Sequence, residues 1–259
     1  MTRRAAVLVA TLAALAFLAL PIVAIFARLS WSALAHELSS SVVTDALVVS
    51  LRTTIVAQAL VLVLGTPAAW MLATHRFRGR SLLITLVELP IVLPPAVAGI
   101  GLLAAFGRAG LLHTGLPFTQ GAVVLAVAFV AGPLYVRQAI AAFEGVDADL
   151  VAVSRTLGAG RAKTFFRVVL PLARGGLGAG EALAFARGLG EFGATIMFAG
   201  SLKGVTQTLP LAVYQEFDQD FHLALALGGL LVLVSAVLLV TLKWLASSST
   251  SAFRFATSS

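Results

Sequence analysis

Three ionisable residues share one otherwise apolar stretch: Glu181, Arg187 and Glu191 lie among Gly188, Gly190 and Gly193 in EALAFARGLGEFGATIMFAG. A guanidinium and a carboxylate four residues apart face one another on a helix, which suits an internal ion pair or the lining of a path for a charged solute. Glu88 opens a second unusual run, ELPIVLPPAVAGIG, with Pro90, Pro94 and Pro95. Other chemistries are excluded. The chain has no cysteine, so disulfides, thiolate metal sites and Cys nucleophiles are ruled out. His36, His75, His113 and His222 are scattered and offer no metal spacing. Ser50 and Ser235 lack a His or Lys at an informative spacing, so helix hydrogen bonding suits them better than nucleophilic catalysis. No Gly-x-x-x-x-Gly-Lys-Ser/Thr phosphate loop is present. The expectation is a non-catalytic chain.

The elements that must position these residues are membrane helices. Of the 259 residues, 59% are hydrophobic and 11% charged, whereas soluble domains carry roughly 25% charged residues. Mean hydropathy is +1.01, and the apolar residues lie in long uninterrupted runs. The net charge of +7 and pI near 11.0 could suit nucleic acid, but Lys and Arg cluster in short segments between apolar runs, where they set topology. Nucleic acid is therefore set aside as a partner, and the lipid bilayer takes its place.

A helix needs about 20 apolar residues to cross the hydrocarbon core, and six segments qualify: Ala5 to Ala27, Ala46 to Ala73, Leu82 to Phe106, Gly121 to Phe143, Leu177 to Gly200 and Leu223 to Leu245. The first is read as a retained helix and not a signal peptide, because it exceeds the usual h-region and no A-x-A site follows. Arg3, Arg4, Arg76, Arg78, Arg80, Arg155, Arg161, Lys163, Arg167, Arg174, Lys243 and Arg254 all fall on one side of this arrangement, leaving Arg28, Arg108 and Lys203 on the other. That asymmetry places both termini in the cytoplasm. The predicted fold is all-α, a polytopic membrane bundle with N-in/C-in topology. Residues 1–43 form a first helix and external loop, 44–246 the transmembrane core, and 247–259 a Ser/Thr-rich tail expected to be disordered.

Two crossings are not plain lipid-facing rods. Prolines remove backbone donors and kink the third, and broken backbone at membrane depth survives only against protein or a water-filled cavity. Ionisable groups mark the fifth, and such groups usually face a bundle interior or a path. Glu88, Pro94, Pro95, Arg187, Glu191 and Thr195 are the candidate pathway or gate residues. Close helix packing through small residues is the competing reading, as is a purely structural Arg187–Glu191 pair.

Between the fourth and fifth crossings, residues 145–171 form a loop more organised than a turn requires. Asp147 can cap a helix, and Leu150, Val153, Ser154 and Leu157 follow at i, i+3, i+4 and i+7. Gly158 and Gly160 stop it. A second short helix presents Phe165, Phe166 and Val169 before Pro171 ends it. An amphipathic helix here suits either lipid headgroups, through Arg161, Lys163 and Arg167, or a partner's groove.

The spacing from Ala152 through Gly158 to Val168, Leu170 and Pro171 resembles the EAA loop of ABC importer permeases, although the Glu-Ala-Ala triplet is here Ala152, Val153 and Ser154. FARGLGEFGATIMFAG, TQTLPLAVY and ELPIVLPPAVAGIGLLAAFGRAG extend the resemblance to the molybdate and sulfate group of permeases over most of residues 44 to 244. Phe192 after the Gly-Glu pair is more similar to the molybdate members than to sulfate permeases, which more often carry Tyr there; tungstate stays open. The resemblance implies a homodimer around one pathway, two ATPase subunits that hold the ATP and magnesium, and an extracytoplasmic oxyanion-binding protein. No cofactor is expected on this chain. It further implies ATPase coupling through Asp147, Leu150, Val153, Ser154, Leu157, Gly158, Leu170 and Pro171. A secondary transporter, the rival, would leave the cytoplasmic loop unexplained and would often show matching halves, which are not seen.

Overall fold

The computed structural model describes the backbone of residues 3–29 and 40–256 and the side chains of 4–29 and 40–242. His36 with the outer loop around it, and the side chains of Arg3, Lys243 and Arg254, lie outside the described residues. Every element described is helical: α1 (Arg3–Arg28), α2 (Ser41–Thr74), α3 (Arg80–Val92), α4 (Pro95–Phe106), α5 (Gln120–Glu144), α6 (Ala148–Thr156), α7 (Arg161–Thr164), a π turn (Phe165–Val169), α8 (Leu170–Leu189), α9 (Gly193–Ala199), α10 (Leu209–Phe217) and α11 (Phe221–Ala256). Among the described residues five spans are long and apolar enough to cross a membrane, and the α3–α4 pair, bent by 115° at its break, is either a broken sixth span or a re-entrant loop.

Leu8, Phe17, Leu64, Val92 and Val240 are among many large apolar side chains left open on the outside of this bundle. In water such a surface would drive aggregation; in lipid it is the solvated face. Since lipid is as apolar as a leucine side chain, close packing must hold the helices together. Helix α5 is central, buried through Ala122, Ala126, Ala131 and Ala139. Small residues let α8 approach it: a Cβ added to Gly176 would stand 2.5 Å from Ala142 Cβ, and one on Gly180 would stand 2.8 Å from Gln138 Cβ. Near the cytoplasmic end, Trp70 of α2 meets Phe143 of α5 and Phe165 of the π turn, each at 5.2 Å between ring centroids. Helix α1 lies to one side, with Phe26 and Leu29 against Ala226 of α11.

The fifth crossing differs from its expected bounds. It runs from Arg161 to Leu189, not from Leu177 to Gly200, and Gly193–Ala199 is a separate helix. Pro171 does not end a helix; it follows directly on a π turn, whose local widening of the helix accommodates the missing proline N–H. The π turn before it lets Leu170 N–H donate to Phe165 C=O, one residue further back than in an α-helix, so the chain passes from loop into membrane without a stop. Gly160 starts α7 as its N-cap, while Gly158, at φ +82°, does close α6. At the C-terminus, α11 continues through Ala256 where a disordered tail was expected from Ser247. Neither Gly nor Pro interrupts TLKWLASSSTSAFRFA, so nothing local breaks the helix.

Candidate translocation path and cytoplasmic docking element

Helix α3 ends where Leu93 and Pro94 turn extended, at ψ 133° and 132°, and Pro95 opens α4 in the position where proline is favoured. Glu88, one turn before this break, faces α5, where its carboxylate lies 3.4 Å from Arg137 Nε. Helix α4 then crosses α9 almost backbone to backbone. A Cβ on Gly99 would stand 2.6 Å from Ala194 C=O, and one on Gly193 would stand 2.6 Å from Pro95 Cβ. The two broken crossings singled out by their composition therefore lock together through Pro95, Gly99 and Gly193.

Arg187 and Glu191 pair at 2.6 Å through Nη1 and Oε2. The other carboxylate oxygen, Oε1, accepts the Ala194 N–H at 2.8 Å. Glu191 thus joins the end of α8 to the start of α9, where a negative charge also meets the positive end of the helix dipole. Its side chain is 1% exposed and that of Arg187 35%. A paired carboxylate presents little net repulsion to a passing anion. Thr195, in the first turn of α9, is fully buried and its hydroxyl has no partner among the described residues. Next in sequence to Glu191, Phe192 rests on Tyr214 of α10 at 5.0 Å between centroids.

Sequence reasoning missed Gln58. It is buried in α2, neither its amide nitrogen nor its oxygen has a partner among the described residues, and its Nε2 lies 3.1 Å from where a Gly188 Cβ would stand. A lone amide in IVAQALVLVLG was the available signal. Ser50, in the same helix, accepts the Leu209 N–H at 2.7 Å and so holds the start of α10.

On the cytoplasmic side, Asp147 caps α6 by accepting the Asp149 N–H at 2.8 Å. Leu150, Val153 and Leu157 point away from the bundle, with Leu157 82% exposed. Ser154, on the same helix, is half-buried, and its hydroxyl bonds Thr164 at 3.2 Å and ties α6 to α7. Phe165 and Val169, also read as presented outward, pack into the bundle instead, and Phe166 alone of the three is exposed. Leu170 and Pro171 begin α8 and lie half-buried. What remains outward on α6 and its C-cap is an apolar knob of Leu150, Val153 and Leu157, with Phe166 exposed separately on the π turn, suited to a partner's groove.

Residues 62–248 match the family described as "Binding-protein-dependent transport system inner membrane component". The molybdenum transport system permease protein ModB of Mycobacterium tuberculosis is 42% identical over 88% of this chain and 89% of its own length. ModB of Escherichia coli is 43% identical over 66% of this chain and 78% of its own length. Among solved structures, a bacterial ABC transporter that imports alginate aligns with a TM-score of 0.70 over 94% of both chains at 14% identity. An inward-facing MetNI methionine transporter aligns with 0.65 over 80% of this chain and 96% of its own at 18% identity. These two likenesses carry the fold, whereas the match over residues 62–248 takes in both broken crossings and the whole cytoplasmic loop; the chain belongs to the binding-protein-dependent transport system inner membrane components, as a multi-pass permease subunit of an ABC importer.

Proposed function

We propose that this chain is the permease of a molybdate importer, acting as two copies around one pathway. Two ATPase subunits, which hold the ATP and magnesium, dock on its cytoplasmic face, and an extracytoplasmic binding protein delivers the oxyanion. The apolar knob on α6 carries the docking part of this reading, because it is exposed, faces away from the bundle and follows an N-cap that fixes its orientation. Molybdate is supported by the names of the two ModB relatives.

In this reading, ATP binding closes the ATPases and moves α6. The Ser154–Thr164 bond and the π turn carry that motion into α8. At the other end of α8, Gly190 and Glu191 lead into α9, which is interlocked with α4. The breaks at Pro94 and Gly190 let these segments shift while α2 and α5 stay packed. The chain itself performs no bond-making chemistry.

Co-expression with the neighbouring genes tests the assembly: a tagged chain should capture an ATPase subunit, and failure to capture one overturns the importer reading. Titrating the cognate binding protein with molybdate, tungstate and sulfate tests the substrate. A preference for sulfate or tungstate would replace molybdate.

A further inference from the structure

A cavity of about 1050 Å³ opens between the cytoplasmic ends of α2, α3 and α5 and the inner face of α6. Four arginines line it, Arg76, Arg80, Arg155 and Arg161, with a single carboxylate, Glu144. Glu144 is already engaged by Arg80 at 2.5 Å. Among the described residues, the guanidinium groups of Arg76, Arg155 and Arg161 have no protein partner. Three uncompensated positive charges therefore border one space.

Docking on α6 does not use this space. At 3.6 residues per turn, Val151, Ala152 and Arg155 fall on the face opposite Leu150, Val153 and Leu157, and the first three line the cavity while the other three point outward. The cations also come from separate parts of the chain: Arg76 from the turn between α2 and α3, Arg155 from α6, Arg161 from α7. All three are exposed, so water screens their mutual repulsion, and an anion seated between them would gain from each. Guanidinium groups match the oxygen edges of phosphate and related tetrahedral anions by paired, charge-assisted hydrogen bonds. Trp70 and Phe165 give the cavity an apolar wall that limits water on one side.

We propose that this cavity binds a phosphate-like oxyanion group on the cytoplasmic side and thereby ties the α6 loop to the α2–α3 turn. The group belongs either to a free anion of the cytosol or to the headgroup of an anionic lipid, which share this chemistry. Occupancy holds α6 against the bundle from behind while its other face meets the ATPase, so the bound anion sets how freely the docking element moves. The site stands whichever oxyanion the importer carries.

The test uses the purified permease–ATPase complex in two settings. In neutral detergent, binding of radiolabelled inorganic phosphate is measured by equilibrium dialysis; in nanodiscs of phosphatidylcholine, thermal unfolding is followed with and without phosphatidylglycerol. The parent is compared with Arg155→Gln/Arg161→Gln, and any site on the ATPase is common to both. A phosphate component that weakens about tenfold or more in the variant identifies a free-anion site. A stabilisation by phosphatidylglycerol that the variant lacks identifies a lipid site. Arg155→Lys/Arg161→Lys should recover part of either response. Should the glutamine pair fail to assemble, Arg76→Gln on the opposite wall must show the same loss. A variant that responds like the parent to both probes overturns the proposal.

Discussion

Built onto Gly193, a Cβ atom would stand 2.6 Å from the Cβ of Pro95, closer than two such atoms can come. The same crossing of α4 and α9 leaves no room at Gly99, where the obstacle is the Ala194 carbonyl. Gly101, two residues along the same helix, has open space around it. Gly99→Ala should therefore destabilise the chain by about 1–3 kcal/mol through overpacking and depress transport, Gly193→Ala should do so somewhat less, and Gly101→Ala should resemble the parent. Thermal unfolding in detergent and uptake into proteoliposomes separate the three. Equal behaviour of Gly99→Ala and Gly101→Ala would show that the crossing is looser than described.

The Arg187–Glu191 pair makes a graded prediction. Glu191→Gln keeps an oxygen for the Ala194 N–H but loses the ion pair, whereas Glu191→Ala loses both. Arg187→Ala leaves a buried carboxylate alone, which is the costlier way to break such a pair. Because Arg187 is partly exposed, solvent screening lowers each cost, to about 1–3 kcal/mol. Stability should fall in the order parent, Glu191→Gln, Glu191→Ala, with Arg187→Ala partly rescued by adding Glu191→Gln. Transport and coupled ATPase rates that match the parent in Glu191→Gln would remove any role for the charge.

Long apolar runs made the bundle legible, because a crossing helix announces itself by length and composition alone. The breaks at Pro94 and Pro95 and the cap at Asp147 were equally readable, since each rests on a local backbone rule. The fifth crossing was misplaced for a physical reason: Arg161, Lys163, Arg167 and Arg174 suggest a solvated loop, and Pro171 suggests a stop, yet a π turn makes these residues the root of one continuous helix. The bond that ties Ser154 to the next helix was not readable, because its spacing fits the apolar face of α6 while its partner Thr164 lies in α7. Glu88 meeting Arg137, and Gln58 meeting Gly188, are tertiary relations that no spacing within one segment reveals.

Leu157 is the most exposed residue of the docking knob and supports nothing inside the chain. Leu157→Asp should fold normally but lose the ATPase on purification or hydrolyse ATP without transport. Ser154→Ala removes the bond to Thr164 and should cost about 0.5–1.5 kcal/mol while the ATPase stays bound. Co-purification together with ATPase-to-transport stoichiometry distinguishes these results. Normal coupling in Leu157→Asp would place the docking face elsewhere.

Arg80 links three elements near the cytoplasmic surface: its Nε donates to Leu72 C=O at 2.6 Å and its Nη2 meets Glu144 at 2.5 Å. Lysine cannot reproduce that fork. Arg80→Lys should lower stability by no more than about 1 kcal/mol, given the exposure of both partners, and the difference from the parent should shrink as salt rises. Unfolding curves at low and high ionic strength check both the size and the trend; a loss that grows with salt would rule out an ion pair as its source.

Gln58 gives the sharpest separation of stability from function. A buried amide with neither atom paired costs about 1–3 kcal/mol against an apolar residue of similar shape, so Gln58→Leu should stabilise the chain unless that amide meets a partner in the assembled transporter. Gly188 packs beside it, at the root of the turn into Glu191, which places the amide where α8 must flex. If Gln58→Leu raises the unfolding temperature and abolishes uptake, the amide serves transport directly, by meeting the solute or the flexing turn. If it raises the temperature and leaves uptake intact, Gln58 is dispensable and the path runs elsewhere. A lowered unfolding temperature would mean that the amide is satisfied in the working protein, by water or by the second copy of the chain.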